Sequence, residues 1–568
     1  MDGKKRQTAV GMILILLVVV IAVAAVMIRR LTPGKDVMDL KEYYQVNDNE
    51  ILLVMQNELY EKKGIYSDGT VYVDYQTVAE QFNKRFYWDA NENILIYTTP
   101  TEIIKAEVGS KEYYVNRSKT TLPYQIVKTS GDQVYIALDY VRLFSNVEYQ
   151  VFETPNRAVI KSRWGEDFMY SKVKKDTQLR YEPDIKSDIL EQLKTGDLVV
   201  YTDTDEELKN GFSKVTTQDG VIGYVKSKTL QTAYYEKLSN DYQQEQYSHI
   251  TKDYTINMVW HQVMNQDANG NILNALAATK GVTTISPTWF SVIGNDGSIS
   301  SLANEQYVDR AHNAGVEVWA LCDDFNKDIS MYQLLSHTSS REKLANELIS
   351  QVFKYELDGI NIDFEKITED SAPHYIQFLR ELSVKCRNNG IVLSVDSYVP
   401  SAYTEYYDRT EQGEIVDYVV VMAYDEHHAA SEVSGSVSSI GFVQSAIDNI
   451  LKQVPAERVI MGIPFYTRLW KEVKDGDGVK VSADACGMNQ GRKYLDVNGV
   501  EPVWDDETGQ YYGEYESEGA LYRIWLEEDE SIELKLKAID EARLAGVAAW
   551  KLGMEKESVW NIIMKYVN

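Results

Sequence analysis

The sequence predicts an α/β protein built around a C-terminal (β/α)8 TIM barrel, with two small β-rich domains and one apolar helix ahead of it. Three observations carry this. Residues 245–568 hold eight short apolar, β-branched runs separated by helical stretches. Near-continuous apolar runs suit parallel strands covered on both faces, and eight such units with helices between them suit a closed barrel with insertions. Residues 45–162 and 167–232 instead show closely spaced strand and turn signals. The first thirty residues contain an uncharged run from Thr8 to Ile28.

Composition narrows the function classes. The chain has 568 residues, 44% apolar and 25% charged, with 86 acidic against 58 basic side chains and a net charge of −28. That balance favours packed domains over disorder and repels phosphate backbones, so no nucleic-acid partner is expected. Cys322, Cys386 and Cys486 are too far apart in sequence for a CxxC pair or a disulfide framework. Cys322 lies in an apolar strand and Cys386 on the apolar stripe of a helix over about 373–389, so both read as core thiols. The 40 Tyr and 10 Trp suit β-sheets and sugar stacking alike.

From the N-terminus, Lys4, Lys5 and Arg6 precede the apolar run, and Arg29 and Arg30 close it. About 20 apolar residues span a bilayer, whereas the apolar stretch of a cleaved signal is shorter. Residues 1–30 therefore read as a single-pass anchor, with Ala22 and Ala24 leaving cleavage open, and residues 31–44 as a linker. Residues 45–162 contain a repeat: VYVDYQTVAEQFNKRFYWDANENILIY from Val71 and VYIALDYVRLFSNVEYQVFETPNRAVI from Val134. Each copy predicts a strand, a short helix and a turn-linked strand pair. Residues 167–232 end in GVIGYVKSKTL from Gly220.

The barrel strands are expected at 256–263, 283–292, 316–325, 357–367, 391–400, 416–427, 459–470 and 546–555. In such a barrel the active site lies at the C-terminal strand ends. The fourth run ends DGINIDFE, and alternation puts Asn361, Asp363 and Glu365 on one face. Two carboxylates brought together inside a barrel raise one another's pKa and keep a proton available for general-acid work. Trp289 and Trp470 lie at strand ends where they could stack on a sugar or pack in the core, and Arg468 is a weaker candidate of the same kind. His427 and His428 read as loop residues, His374 as a surface residue. Residues 471–530 lack a long helical period and read as a β-rich excursion walling the cleft.

DGINIDFE resembles the DGxDxDxE signature of glycoside hydrolase family 18, which includes chitinases and endo-β-N-acetylglucosaminidases. MAYDEH from Met422, GIPFY from Gly462 and AAWKLG around Trp550 resemble that family's motifs on the sixth, seventh and eighth strands, in the right order. The first repeat domain resembles the copper amine oxidase N-terminal-like module, here without His or Cys and so without copper. Residues 167–232 resemble a bacterial Src-homology-3-like domain, as spacer or as wall-peptide binder. Asn361 replaces the signature's first Asp. It can still hydrogen-bond Asp363 but carries no charge.

The resemblance implies a retaining, substrate-assisted hydrolysis. Glu365 would be the acid and base, Asp363 would orient the substrate's 2-acetamido group, and Tyr424 would hydrogen-bond it. Trp550 would floor the sugar site. Asn361, Met422, Asp425, Tyr466 and Trp289 complete the expected substrate-binding set, with no metal and no cofactor. The implied substrate is a polysaccharide carrying N-acetyl sugars, with peptidoglycan favoured and chitin-type glycans as the alternative. An inactive glycan-binding barrel is the alternative of another class. The implied place is the outer face of a Gram-positive-like bacterial membrane, against the cell wall.

Overall fold

The computed structural model describes residues 2–202, 211–476 and 478–567. The chain divides into two compact units: Met1–Phe86, Ala106–Tyr114 and Ser118–Gln244 form the first, and Tyr87–Lys105, Val115–Arg117 and Glu245–Asn568 the second.

The first unit begins with the helix Asp2–Leu31, of which Ala9–Leu31 is long and apolar enough to cross a membrane. The residues after it do not run free. Gly34 N–H donates to the Ile185 carbonyl at 2.8 Å, Val37 bridges Ile189, and Met38 N–H donates to the Ile189 carbonyl at 3.0 Å. The repeat gives the expected strand, short helix and strand pair in each copy. The leading strands of the two copies, Thr70–Asp74 and Gln133–Ala137, pair antiparallel in one seven-stranded sheet. Residues 167–202 and 211–237 form a second seven-stranded, antiparallel sheet over a core that includes Leu179, Leu190, Val199, Val215 and Val225.

The second unit contains the barrel. Its strands are β1 (Ile256–His261), β2 (Thr284–Val292), β3 (Glu317–Asp323), β4 (Gly359–Asp363), β5 (Val392–Tyr398), β6 (Tyr418–Met422), β7 (Val459–Pro464) and β8 (Gly546–Trp550). All eight lie within the runs read from the sequence. Every neighbouring pair is parallel, and β1 pairs with both β2 and β8, so the sheet closes. Alternate residues divide between two cores. Met258, Trp260, Trp319, Leu321 and Val420 fill the interior, while Val259, Ile285, Ile360, Ile362 and Val419 pack outward in the cluster that includes the helix residues. Strands apolar on both faces satisfy both layers at once.

Between β7 and β8 the chain builds a five-stranded antiparallel sheet that begins at Tyr466 and ends at Leu526. The excursion is not purely β: it also contains the helix Met488–Val497, ten residues that bury only Met488, Gly491 and Leu495. The helix is amphipathic, but at ten residues it is too short to show as a long helical period.

Residues 87–105 belong to the barrel's unit. Asp89 Oδ2 accepts the backbone N–H and the hydroxyl of Thr338 at 2.6 and 2.5 Å, at the first residue of the helix Thr338–Tyr355. Asp89 thus supplies the cap that His337, the residue before the helix, does not. Tyr87 Oη meets His374 Nδ1 at 2.6 Å. His374 is therefore not a surface residue. It is half-buried, and burial pushes its imidazole down to about 4.

Asp89→Ala removes a buried acceptor and a helix cap together, so it should destabilise the barrel unit by about 1–3 kcal/mol, read from its denaturant midpoint.

Candidate active site

The site is built from β4 outward. Asp358, just before the strand, accepts Val318 N–H at 2.8 Å and faces His312 at 2.8 Å at the N-terminal end of the barrel, where it ties β3 to β4. Asn361 is 0% exposed and faces the barrel interior. Its Nδ2 donates to Asp396 at 2.8 Å and Ser394 at 3.1 Å, and its Oδ1 accepts Trp260 Nε1 at 3.1 Å and Ser286 Oγ at 3.2 Å. Two donors and two acceptor positions exhaust an amide. Contrary to the sequence reading, Asn361 does not bond Asp363 and has no free polar position to offer a substrate. It ties β4 to β1, β2 and β5.

Asp363 ends β4. It is buried, and its Oδ1 has no hydrogen-bond partner. Burial raises its pKa well above the usual carboxylate range. The neighbouring charges that act on it, Asp396, Glu365, Asp324 and Asp323, are all carboxylates and raise it further. Burial pushes Asp396, on β5, up to about 8. The pair Asp363–Asp396 therefore holds a proton near neutral pH.

Glu365 lies two residues beyond β4 and is only partly buried. Burial raises its pKa, Tyr398 opposes this, and Asp425 and Asp323 add to it. Tyr398 Oη donates to Glu365 Oε2 at 2.5 Å. The backbone here is held by Asp324, whose two oxygens accept Glu365 N–H at 3.0 Å and Lys366 N–H at 2.9 Å. Asp324, Asp396 and Tyr398 escaped the sequence reading. The signal for two of them was present in β5, where Ser394, Asp396 and Tyr398 alternate as polar residues in an apolar strand.

Aromatic residues close the other side. The Trp260 ring lies edge-on to Trp550 at 6.0 Å and to Tyr424 at 6.3 Å, and Tyr424 lies 6.3 Å from Tyr466. Gly462 permits this. A Cβ there would stand 3.0 Å from the Val421 carbonyl and 3.3 Å from both Trp260 and Tyr424. Tyr466 Oη and Arg468 Nη2 both donate to Asp425 Oδ1, at 2.6 and 2.8 Å. Met422 ends β6.

Of the two tryptophans left open between sugar stacking and core packing, both are packed, Trp289 of the expected substrate-binding set among them. Trp289 is 1% exposed. It bonds Asn269 through Nε1 at 2.9 Å and packs on Tyr307 in the outer layer, because position 289 of β2 faces away from the interior. Trp470 is also fully buried and bonds the Gly435 carbonyl at 2.8 Å. His427 and His428 bond the loop backbone around Ser436 and Ala430. All three cysteines are free and buried.

The sequence pattern of the glycosyl hydrolases family 18 matches residues 234–555. The chain belongs to glycosyl hydrolase family 18. The copper amine oxidase N-terminal domain pattern matches residues 46–160 ahead of it. The uncharacterized glycosylase YvbX of Bacillus subtilis is 26% identical over 283 residues, which are 48% of this chain and 80% of that protein. The cortical fragment-lytic enzyme of Bacillus subtilis is 28% identical over 242 residues, 41% of this chain and 56% of that enzyme, so the match spans just over half of its length. In fold, the barrel resembles the Bacillus cereus spore cortex-lytic enzyme SleL, with a TM-score of 0.51 and 20% identity over 59% of this chain and 79% of that one. Membership makes the protein a glycoside hydrolase.

Asp396 has a folded pKa of about 8 against an unfolded value near 4. The folded state binds the extra proton between these limits, so stability is highest below about pH 4 for this group and falls as pH rises toward 8. Asp396→Asn keeps an acceptor for Asn361 and should flatten that fall, read as the unfolding midpoint across pH 5 to 8.

Proposed function

We propose that this family 18 member is a membrane-anchored extracellular glycosidase. It hydrolyses β-1,4 bonds that follow N-acetylglucosamine in peptidoglycan or a related wall glycan, with retention and with assistance from the substrate. The observation that carries the reading is the division of labour at the end of β4. Glu365 sits partly open at the barrel mouth with a raised pKa, while Asp363 lies buried beside it with an unpartnered oxygen.

Glu365 protonates the glycosidic oxygen as the bond breaks. The acetamido carbonyl of the substrate attacks the anomeric carbon and forms an oxazolinium ion. Asp363 accepts the acetamido N–H, which satisfies its free oxygen and stabilises the positive charge. Glu365, now ionised, takes a proton from water, and that water opens the ring from the face the leaving group left. Tyr424 hydrogen-bonds the acetamido group and Trp550 underlies the sugar. Met422, Asp425 and Tyr466 line the pocket. Asp425 is held in place by Tyr466 and Arg468.

The apolar helix supports an anchor, and similarity to the cortical fragment-lytic enzyme favours a wall glycan over chitin. The repeat domain and the Src-homology-3-like domain of residues 167–232 then hold the barrel within the wall. The acid Glu365 is retained, which weighs against a barrel that only binds glycan.

Glu365→Gln should lower kcat by about 10²–10⁴-fold while substrate still binds. Equal turnover in mutant and wild type would disprove the assignment. A thiazoline analogue of the oxazolinium ion should inhibit, and mass spectrometry of digested peptidoglycan should find N-acetylglucosamine at the new reducing ends. Tyr398→Phe removes a bond that lowers the Glu365 pKa. Because the acid must be protonated to act, the alkaline limb of the rate profile should move to higher pH.

A further inference from the structure

On a chain of net charge −28, one cleft of the first unit is strongly basic. It holds about 470 Å³ and is lined by Lys175, Arg180, Lys194, Lys226 and Lys228, together with Pro33. The one acid in its wall, Asp176, is engaged by the N–H and hydroxyl of Thr195, both at 2.9 Å. Burial lowers the Lys226 pKa, and the charges that lower it further, Lys228, Arg180 and Lys175, all share its sign. Asp176 in the wall and Asp184 beside Arg180 offset only part of five positive charges, and an anion in their midst relieves the remaining repulsion.

The cleft's place singles out the anion. Pro33 stands two residues after the apolar helix ends at Leu31, a reach of roughly 7 Å of extended chain. The junction is tied down rather than loose. Lys186 Nζ donates to the Arg29 carbonyl at 2.6 Å and to that of Thr32, and Arg180 Nη2 donates to the Gly34 carbonyl at 3.1 Å. The helix exit and the basic cleft thus move together. With the helix in a bilayer, the cleft lies at the headgroup level, where anionic lipids concentrate negative charge within about a Debye length.

We propose that the cleft formed by Lys175, Lys194, Lys226 and Lys228, with the buried Arg180 adding its charge from beneath, binds the phosphate groups of anionic membrane lipids and seats the first unit on the bilayer surface. The proposal rests on the reading of Asp2–Leu31 as an anchor. Bound headgroups would fix the orientation of the first unit at the point where the chain leaves the membrane.

The test uses the full chain in lipid discs of neutral phosphatidylcholine, with or without roughly a third phosphatidylglycerol. Acylation of Lys175, Lys194, Lys226 and Lys228, read by peptide mass spectrometry, should slow about fivefold in the anionic discs relative to the exposed Lys161. Equal rates in the two discs overturn the proposal. Protection in neutral discs by added poly(glycerol phosphate), without protection by anionic lipid, also overturns it and assigns the cleft to a wall polymer. A chain that enters neither disc refutes the anchor alone. The same chain must then still pellet with anionic vesicles in preference to neutral ones, and failure there overturns the cleft. The charge reversal Lys175→Glu, Lys194→Glu and Lys228→Glu should cut the anionic preference at least tenfold, as about 1 kcal/mol per surface cation implies. An intact preference in that variant refutes the site.

Discussion

Acidic groups inside a barrel have to be kept from ionising together, and the architecture of the catalytic end follows from that constraint. Asp363, Asp396, Asp324, Asp323 and Glu365 gather at the ends of three adjacent strands, and the charges that act on Asp363 are all negative. A fully ionised cluster would be prohibitive in so buried a place. The barrel solves this by holding a proton on the Asp363–Asp396 pair and by placing a neutral amide, Asn361, one step deeper. An acid at position 361 would add one more negative charge to the interior. As an amide it uses all four of its hydrogen bonds to tie β4 to three other strands.

That framework leaves the outer two carboxylates in different environments. Asp363 is buried and has an oxygen to offer. Glu365 is past the strand end, partly open, and held at two levels: Asp324 clips its backbone and Tyr398 its side chain. In the proposed reaction Glu365 gives and then retrieves a proton, which needs both a raised pKa and a constrained position. The aromatic wall opposite obeys a simple steric condition. Trp260 and Tyr424 both close on Gly462, where a Cβ would stand 3.3 Å from each ring.

The legibility of these features differs residue by residue. The eight strands were readable because each is largely apolar on both faces, and eight such runs with helices between them in one segment suit a closed barrel. Asn361, Asp363 and Glu365 were readable because polar residues at period two interrupt such a strand. Asp396 and Tyr398 obey the same period in β5 and were legible in principle. Trp289 and Trp470 were not, because a tryptophan at a strand end faces a sugar or the core according to which way its side chain turns. His374 was misplaced for another reason: the tyrosine that covers it lies 287 residues away in sequence.

Sequence alone determined the family, the order of the barrel strands, the apolar N-terminal helix and the identity of the central carboxylates, since each is encoded by local periodicity or by a short contiguous motif. Tertiary structure decided the partners. Which strands Asn361 joins, which tyrosine holds Glu365, that residues 87–105 cap a barrel helix, and that five cations from separated strands and turns meet at the helix exit all depend on distances between segments far apart in the chain. Such distances are set by packing and strand register, and no local pattern records them.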